Sequence, residues 1–269
     1  VMRPFRPEPL TSASGTPSSR ASLRMLGEAC GRPWAGVPGW CAAWAVAVAG
    51  AATTGAEAVA AVSTGQVAAL TTAQAASLTS GQLSLLGSAD VAAITTADIK
   101  VLTTSALAGL SADQLSHLTT AQIVALSTAQ VSALTPDQLT GLDVNDVAAL
   151  SSSQLAVLGS AQLTAMSTAQ LAAIETADFK SVATAALHAL AADQVAALTS
   201  GQFSAMTTAQ AVALTGDQLA SLSTDKLNAL GSAEFAVLSS AQVAALTAAQ
   251  VGKLETADVA ALGTAALKG

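Results

Sequence analysis

Few side chains in this chain could carry chemistry. Two histidines, His117 and His188, and two cysteines, Cys30 and Cys41, stand among many serines and threonines. A covalent catalyst needs a hydroxyl or thiol beside a base, with a third group to orient that base. No recognisable motif pairs either histidine with such a hydroxyl. A metal centre needs several His, Cys, Asp or Glu at short spacing. The two histidines lie far apart in the chain, and no acid recurs beside both. Asp98, Asp178 and Asp258 recur in the same Thr-Ala-Asp run and are the carboxylates best placed to meet a cation. No glycine-rich phosphate loop and no calcium-binding glycine nonapeptide is present. No residue is therefore assigned to catalysis, to a cofactor or to a metal. No cofactor is expected, and the histidines are expected on the surface.

The element that must position these residues is a repeat. From Ser63 onward one eight-residue sentence recurs without insertion or deletion, as in Leu118-Thr-Thr-Ala-Gln-Ile-Val-Ala-Leu126. With Thr119 as position 1 and Leu126 as position 8, positions 5 and 8 are apolar throughout. Position 1 is Ser, Thr, Asp or Gly in 22 of 26 units, and position 4 is Gln, Asp or Glu in 22 of 26. A hydroxyl followed three residues later by Gln or an acid is the signature of a capping box. Leu118 and Ile123 occupy the two sites of a hydrophobic staple in the same register. Pro136 falls at the first helical position, where proline is tolerated. Asp113, Asp137, Asp193, Asp217 and Asp225 fall in the first turn, where the helix dipole favours an anion. Gly87, Gly159 and Gly231 fall at position 1, where glycine is an acceptable N-cap. These signals agree on one short helix per octad.

The alternatives fit less well. In a single long helix the apolar pair would drift about 80° per octad and face nothing constant. A β-solenoid wants apolar residues two apart, and here the spacings are three and five. Alanine at positions 3, 6 and 7 favours helix over strand. The expected fold is an all-α solenoid, a superhelical coil of very short helices. Helices this short are not stable alone, so stability belongs to the stack. Positions 5 and 8 are expected to face a common core. The Ser, Thr, Gln and Ala positions are expected to face outward or to cap neighbouring backbones. Small residues at positions 6 and 7 let helices approach closely, and a tight corner is expected at each Leu-Thr junction. Phe179, Phe203 and Phe235 replace Leu at position 5 and are expected to fill the core. At Asp98, Asp178 and Asp258 the acid replaces a capping Gln, and capping alone accounts for it. A longer echo, eighty residues apart, sets Asp98 with Ala106, Asp178 with Ala186 and Asp258 with Ala266. It reads as a ten-octad duplication or as a structural period.

Three regions follow: 1–33, a disordered, basic, proline-rich leader; 34–58, an apolar segment; and 59–269, the octad array. The leader holds all five arginines and five of the seven prolines. The apolar segment, with its core Ala42-Ala-Trp-Ala-Val-Ala-Val-Ala49, reads as an export signal, a membrane anchor or sequence foreign to the native protein. Both cysteines precede the array, so no disulfide framework is implied. From Val59 on, five lysines against fourteen acids leave the array at −9, which argues against binding nucleic acid. The run Leu134-Thr-Pro-Asp-Gln-Leu139 resembles the opening of a TAL-effector DNA-binding repeat over six residues. That family's repeat is several times longer and its arrays are basic, so no such role is expected.

The array as a whole resembles the tandem Leu-Thr-Thr-Ala-Gln-Val-Ala-Ala-Leu runs of very large exported bacterial proteins of adhesin or haem-utilisation type. The resemblance implies an extracellular or cell-surface location and a spacer or adhesion role. It supplies no binding residue. The leading expectation is a non-enzymatic structural module. The second is a binding module with a regular Ser/Thr/Gln face for a glycan, ice or a protein. The third is an enzyme. The expected partner is a cell-surface glycan or protein of unstated identity, with a membrane met only through the N-terminal segment.

Overall fold

The computed structural model describes residues 62–264 and 266. The leader 1–33 and the apolar segment 34–58 lie outside the described residues. Among the described residues there are 25 α-helices and no strand, and each helix is four to six residues long. One octad makes one helix. Thr120–Ala125 and Thr128–Ala133 are typical. The residue before each helix is extended, with φ −73° and ψ 151° at Thr119. Leu126, the last residue of that octad, is extended too, at φ −61° and ψ 135°. Two extended residues, positions 8 and 1, thus form every such corner and break the helical run where the sequence places its cap.

The helices pack in a fixed pattern. Each lies against the helix three octads before it and the helix three octads after it, as Thr120–Ala125 does with Thr96–Val101 and Val144–Ala148. Side-chain hydrogen bonds reach one octad further, to the fourth. One turn of the coil therefore takes between three and four octads, much as one turn of an α-helix takes between three and four residues. The architecture is an all-α solenoid.

Positions 5 and 8 form its core. Ile123 and Val131 at position 5, and Leu126 and Leu134 at position 8, are all buried in one continuous apolar cluster. Phe179, Phe203 and Phe235 are among its largest buried side chains, so the aromatic substitutions fill core space. Val251 and Val259 depart from the expectation for position 5: both are exposed. No octad three steps on from either is among the described residues, and it is that octad which covers position 5 elsewhere.

Of the two expectations for position 4, facing outward or capping neighbouring backbones, glutamine follows the second: Gln122, Gln130 and Gln202 are only 2%, 3% and 0% exposed. A buried amide must be fully hydrogen-bonded, and it is.

Close approach is visible at positions 2 and 7. A Cβ added to Gly109 would lie 2.1 Å from the Ser80 carbonyl oxygen, and one added to Gly141 2.1 Å from that of Ala112. At these two crossings only glycine lets the backbones meet.

Candidate functional site

From Gln114 on, the position-4 glutamine joins one helix to another. Gln130 shows the arrangement. Its Oε1 accepts the Ser127 backbone N–H at 2.7 Å, and the Ser127 hydroxyl accepts the Gln130 N–H at 3.3 Å. That reciprocal pair satisfies donors that the helix start leaves free. The other end of the amide points away from its own helix. Gln130 Nε2 donates to the carbonyls of Ile99 and Leu102, both at 2.8 Å. These are positions 5 and 8 of the octad four steps earlier, in the last turn of a helix; Ile99 O also accepts the Leu102 N–H at 3.3 Å, whereas the Leu102 carbonyl lies past the helix end. One side chain therefore closes the N-terminus of its own helix and the C-terminus of another.

The same staple recurs along the coil. Gln138 donates to Leu107 and Leu110, Gln170 to Leu139 and Leu142, Gln202 to Leu171 and Ile174, and Gln250 to Leu219 and Leu222. Lys226, at position 4 of its octad, cannot accept at the cap. Its N–H still donates to the Ser223 hydroxyl at 3.4 Å, and its ammonium donates to the Ala196 carbonyl, position 6 of the octad four steps earlier.

Aspartate at position 4 behaves differently, because it has no N–H to give. Asp146 accepts from the Thr120 hydroxyl at 3.0 Å, and Asp258 from the Ser232 hydroxyl at 3.1 Å. Asp178 accepts from Ser152. Each donor lies three octads earlier. The helices of Asp178 and Asp258 start without a capping box, so capping does not account for these two acids, whose carboxylates are bonded across octads instead. Asp98 is bonded within its own octad, accepting from the Thr95 hydroxyl at 2.6 Å. Burial pushes the Asp146 carboxyl above its ordinary range; the Thr120 hydroxyl opposes this, and the neighbouring Asp143 charge adds to it.

The histidines sit on the surface, nine octads apart. His188 Nδ1 is 2.8 Å from the Ala213 carbonyl. His117 Nδ1 is 2.8 Å from the Asp113 carbonyl and 3.2 Å from the Ser116 hydroxyl. That last pair is the only His–hydroxyl contact of its kind among the described residues. The Ser116 hydroxyl already donates to Asp113 O at 2.6 Å, and a ring nitrogen facing a carbonyl must carry its proton. Neither atom is arranged to take a proton from the other. No group of three or more His, Cys, Asp or Glu converges among the described residues. No helix among them is long and apolar enough to cross a membrane. Shallow surface grooves lie between helices three octads apart, one lined by Thr140, Val144 and Ser167, another by Thr184, Val212 and Val237.

Sequence reasoning located the cap half of the staple and missed the distant half. A signal was present. A capping box accepts Glu or Gln alike, yet position 4 holds Gln in sixteen octads and Glu in one. Only the amide can donate as well as accept.

The repeat itself has a counterpart among known families. A model of the ALTTAQ repeat matches residues 91–128, 115–144, 141–173, 171–208 and 224–254. Together these matches span 91–208 and 224–254, more than half of the chain. No curated protein matches it. With its octads in unbroken register and more than half of its length recognised by that model, the chain belongs to the ALTTAQ repeat family.

Proposed function

We propose that this structural repeat module is a non-enzymatic spacer or adhesion segment of an exported bacterial surface protein. The observation that carries the reading is the staple. The recurring polar residue is consumed in holding successive turns together, as Gln130 does with Ile99 and Leu102. A side chain buried in that way is not offered to a ligand. The surface left outside is rich in small hydroxyl and alanine side chains, with single exposed valines such as Val124 and Val212 among them, which suits a solvated, extended element. Location outside the cell, on the surface or beyond it, rests on the likeness to exported repeat proteins and on the apolar segment 34–58. The expected partner is a surface glycan or protein, met by whatever the array holds at its ends or along its hydroxyl face.

Length tests the spacer reading. Removing whole octads from the middle of the array should keep the chain helical and shorten it in proportion, as read by small-angle scattering. Removing four residues should break the register and the fold. A radius that does not follow octad number would overturn the reading. Binding of the array to a glycan panel would favour adhesion over spacing, and a reporter fused after residue 58 would test export.

A further inference from the structure

We infer that the array has a built-in yielding segment at residues 175–198, where the interior of the coil opens locally before the octads on either side. The last described helix, Thr256–Ala261, likewise lacks a side-chain cap and a staple but stands at the end of the described residues. Two independent deficits coincide at 175–198. The first is in the caps. Glu175, Ala183 and Ala191 precede three successive helices, and none of them supplies a side-chain cap. Ser127, Ser167, Thr199 and Thr207 do so on either side. The second is in the staples. Asp178 and Ala186 stand at position 4 of two adjacent octads and have no amide to give. By the spacing of the ladder, a glutamine at 178 would reach the carbonyls of Val147 and Leu150. One at 186 would reach those of Leu155 and Leu158.

The apolar core is intact through the same segment. Phe179, Leu187 and Val195 are all fully buried, and Ser152 still donates to Asp178. Gln210 and Gln218 still donate to its carbonyls. The segment is therefore folded at rest and short only of hydroxyl caps and of the outgoing staples at 178 and 186, a combination that lowers the free energy of local opening while leaving the native state in place. The same staple gap occurs eighty residues earlier, at Asp98 and Ala106. There the caps are present: Thr95 accepts from Asp98 N–H at 3.2 Å, and Thr103 from Ala106 N–H at 3.1 Å. That octad pair has one deficit where 175–198 has two. The inference goes beyond the spacer reading and does not depend on it.

Hydrogen exchange on the full chain tests it. Amides of Phe179, Leu187 and Val195 should exchange about tenfold faster than those of Val131 and Leu171, with Ile99 and Leu107 in between. Ala191→Thr, at an exposed site whose Gln194 already caps the chain, should restore protection at Val195. Ala186→Gln should restore it at Leu187. Far-UV circular dichroism checks that each variant is folded, and Ala191→Thr keeps the test open should Ala186→Gln disturb the core. A flat protection profile, or repaired variants that exchange as fast as the parent, would overturn the inference.

Discussion

Gln130→Glu isolates the distant half of the staple, because it preserves the near half. A glutamate at 130 can still accept the Ser127 N–H, the bond that Gln130 makes at 2.7 Å. It cannot donate to Ile99 O and Leu102 O, each now 2.8 Å from the amide nitrogen. Both carbonyls belong to buried residues, and leaving a buried acceptor unpaired costs about 1–3 kcal/mol. Ile99 O still accepts the Leu102 backbone N–H at 3.3 Å, so Leu102 O is the acceptor left unpaired. The expected loss at neutral pH is therefore about 1–3 kcal/mol, with carboxylate–carbonyl repulsion pushing toward the upper end. The loss should depend on pH. Burial against two carbonyls raises the folded-state pKa of the new acid above its unfolded value of about 4.3. Between those two values the folded chain binds more protons than the unfolded one, so the variant regains stability as pH falls. A protonated glutamate has one O–H, so one of the two bonds returns. Gln130→Leu lacks both the cap and the donor and should show no such recovery. Because long arrays need not unfold in a single step, the readout is urea unfolding of parent and variants together with hydrogen exchange in 95–102 and 127–134. A neutral-pH loss below about 0.5 kcal/mol, well under one unpaired carbonyl, would refute the reasoning. So would equal losses at pH 7 and pH 4.

Other expectations follow from the same geometry. Burial raises the Asp146 carboxyl above its ordinary 3.8, so the charged form destabilises the fold at neutral pH and the penalty disappears below about 3.8. Asp146→Asn should stabilise the chain at pH 7 and leave it unchanged at pH 3.5, as read by thermal melts across pH. Gly141→Ala should cost about 1–3 kcal/mol in urea unfolding, because its new Cβ meets the Ala112 backbone. Gly81→Ala, with open space around it and a place inside a helix, should instead gain up to about 1 kcal/mol. Phe203→Ala should cost about 3–5 kcal/mol, since the ring is wholly buried and the coil can close only part of the gap.

The local structure was legible because its determinants are local. The hydroxyl before each helix, Pro136 at a first helical position and the apolar residues at 5 and 8 fix where a helix starts and which side it buries. The number of octads in one turn of the coil was not legible. Which octads touch depends on the angle accumulated over corners such as Leu126–Ser127, and nothing in eight residues states that sum. The second bond of Gln130 was hidden for a related reason: its partners are 28 and 31 residues away, and a complete local explanation for the residue already existed. The close approach at Gly109 follows the expectation for small residues at position 7, but its partner Ser80, three octads away, could not be read from the octad. For the candidate site, the surface placement of His117 and His188 could be anticipated from their positions in the octad. The hydroxyl donors to Asp146, Asp178 and Asp258 could not, because they come from three octads away.

The ladder also has a direction. From Gln114 on, each stapling glutamine's amide nitrogen looks back toward residues made earlier, as Gln250 does toward Leu219 and Leu222. A growing chain thus always finds its acceptors already displayed, and five consecutive octads are the least that can close one rung. Assembly can then advance in the order of synthesis, each newcomer locking a turn completed before it, with no need to wait for the far end.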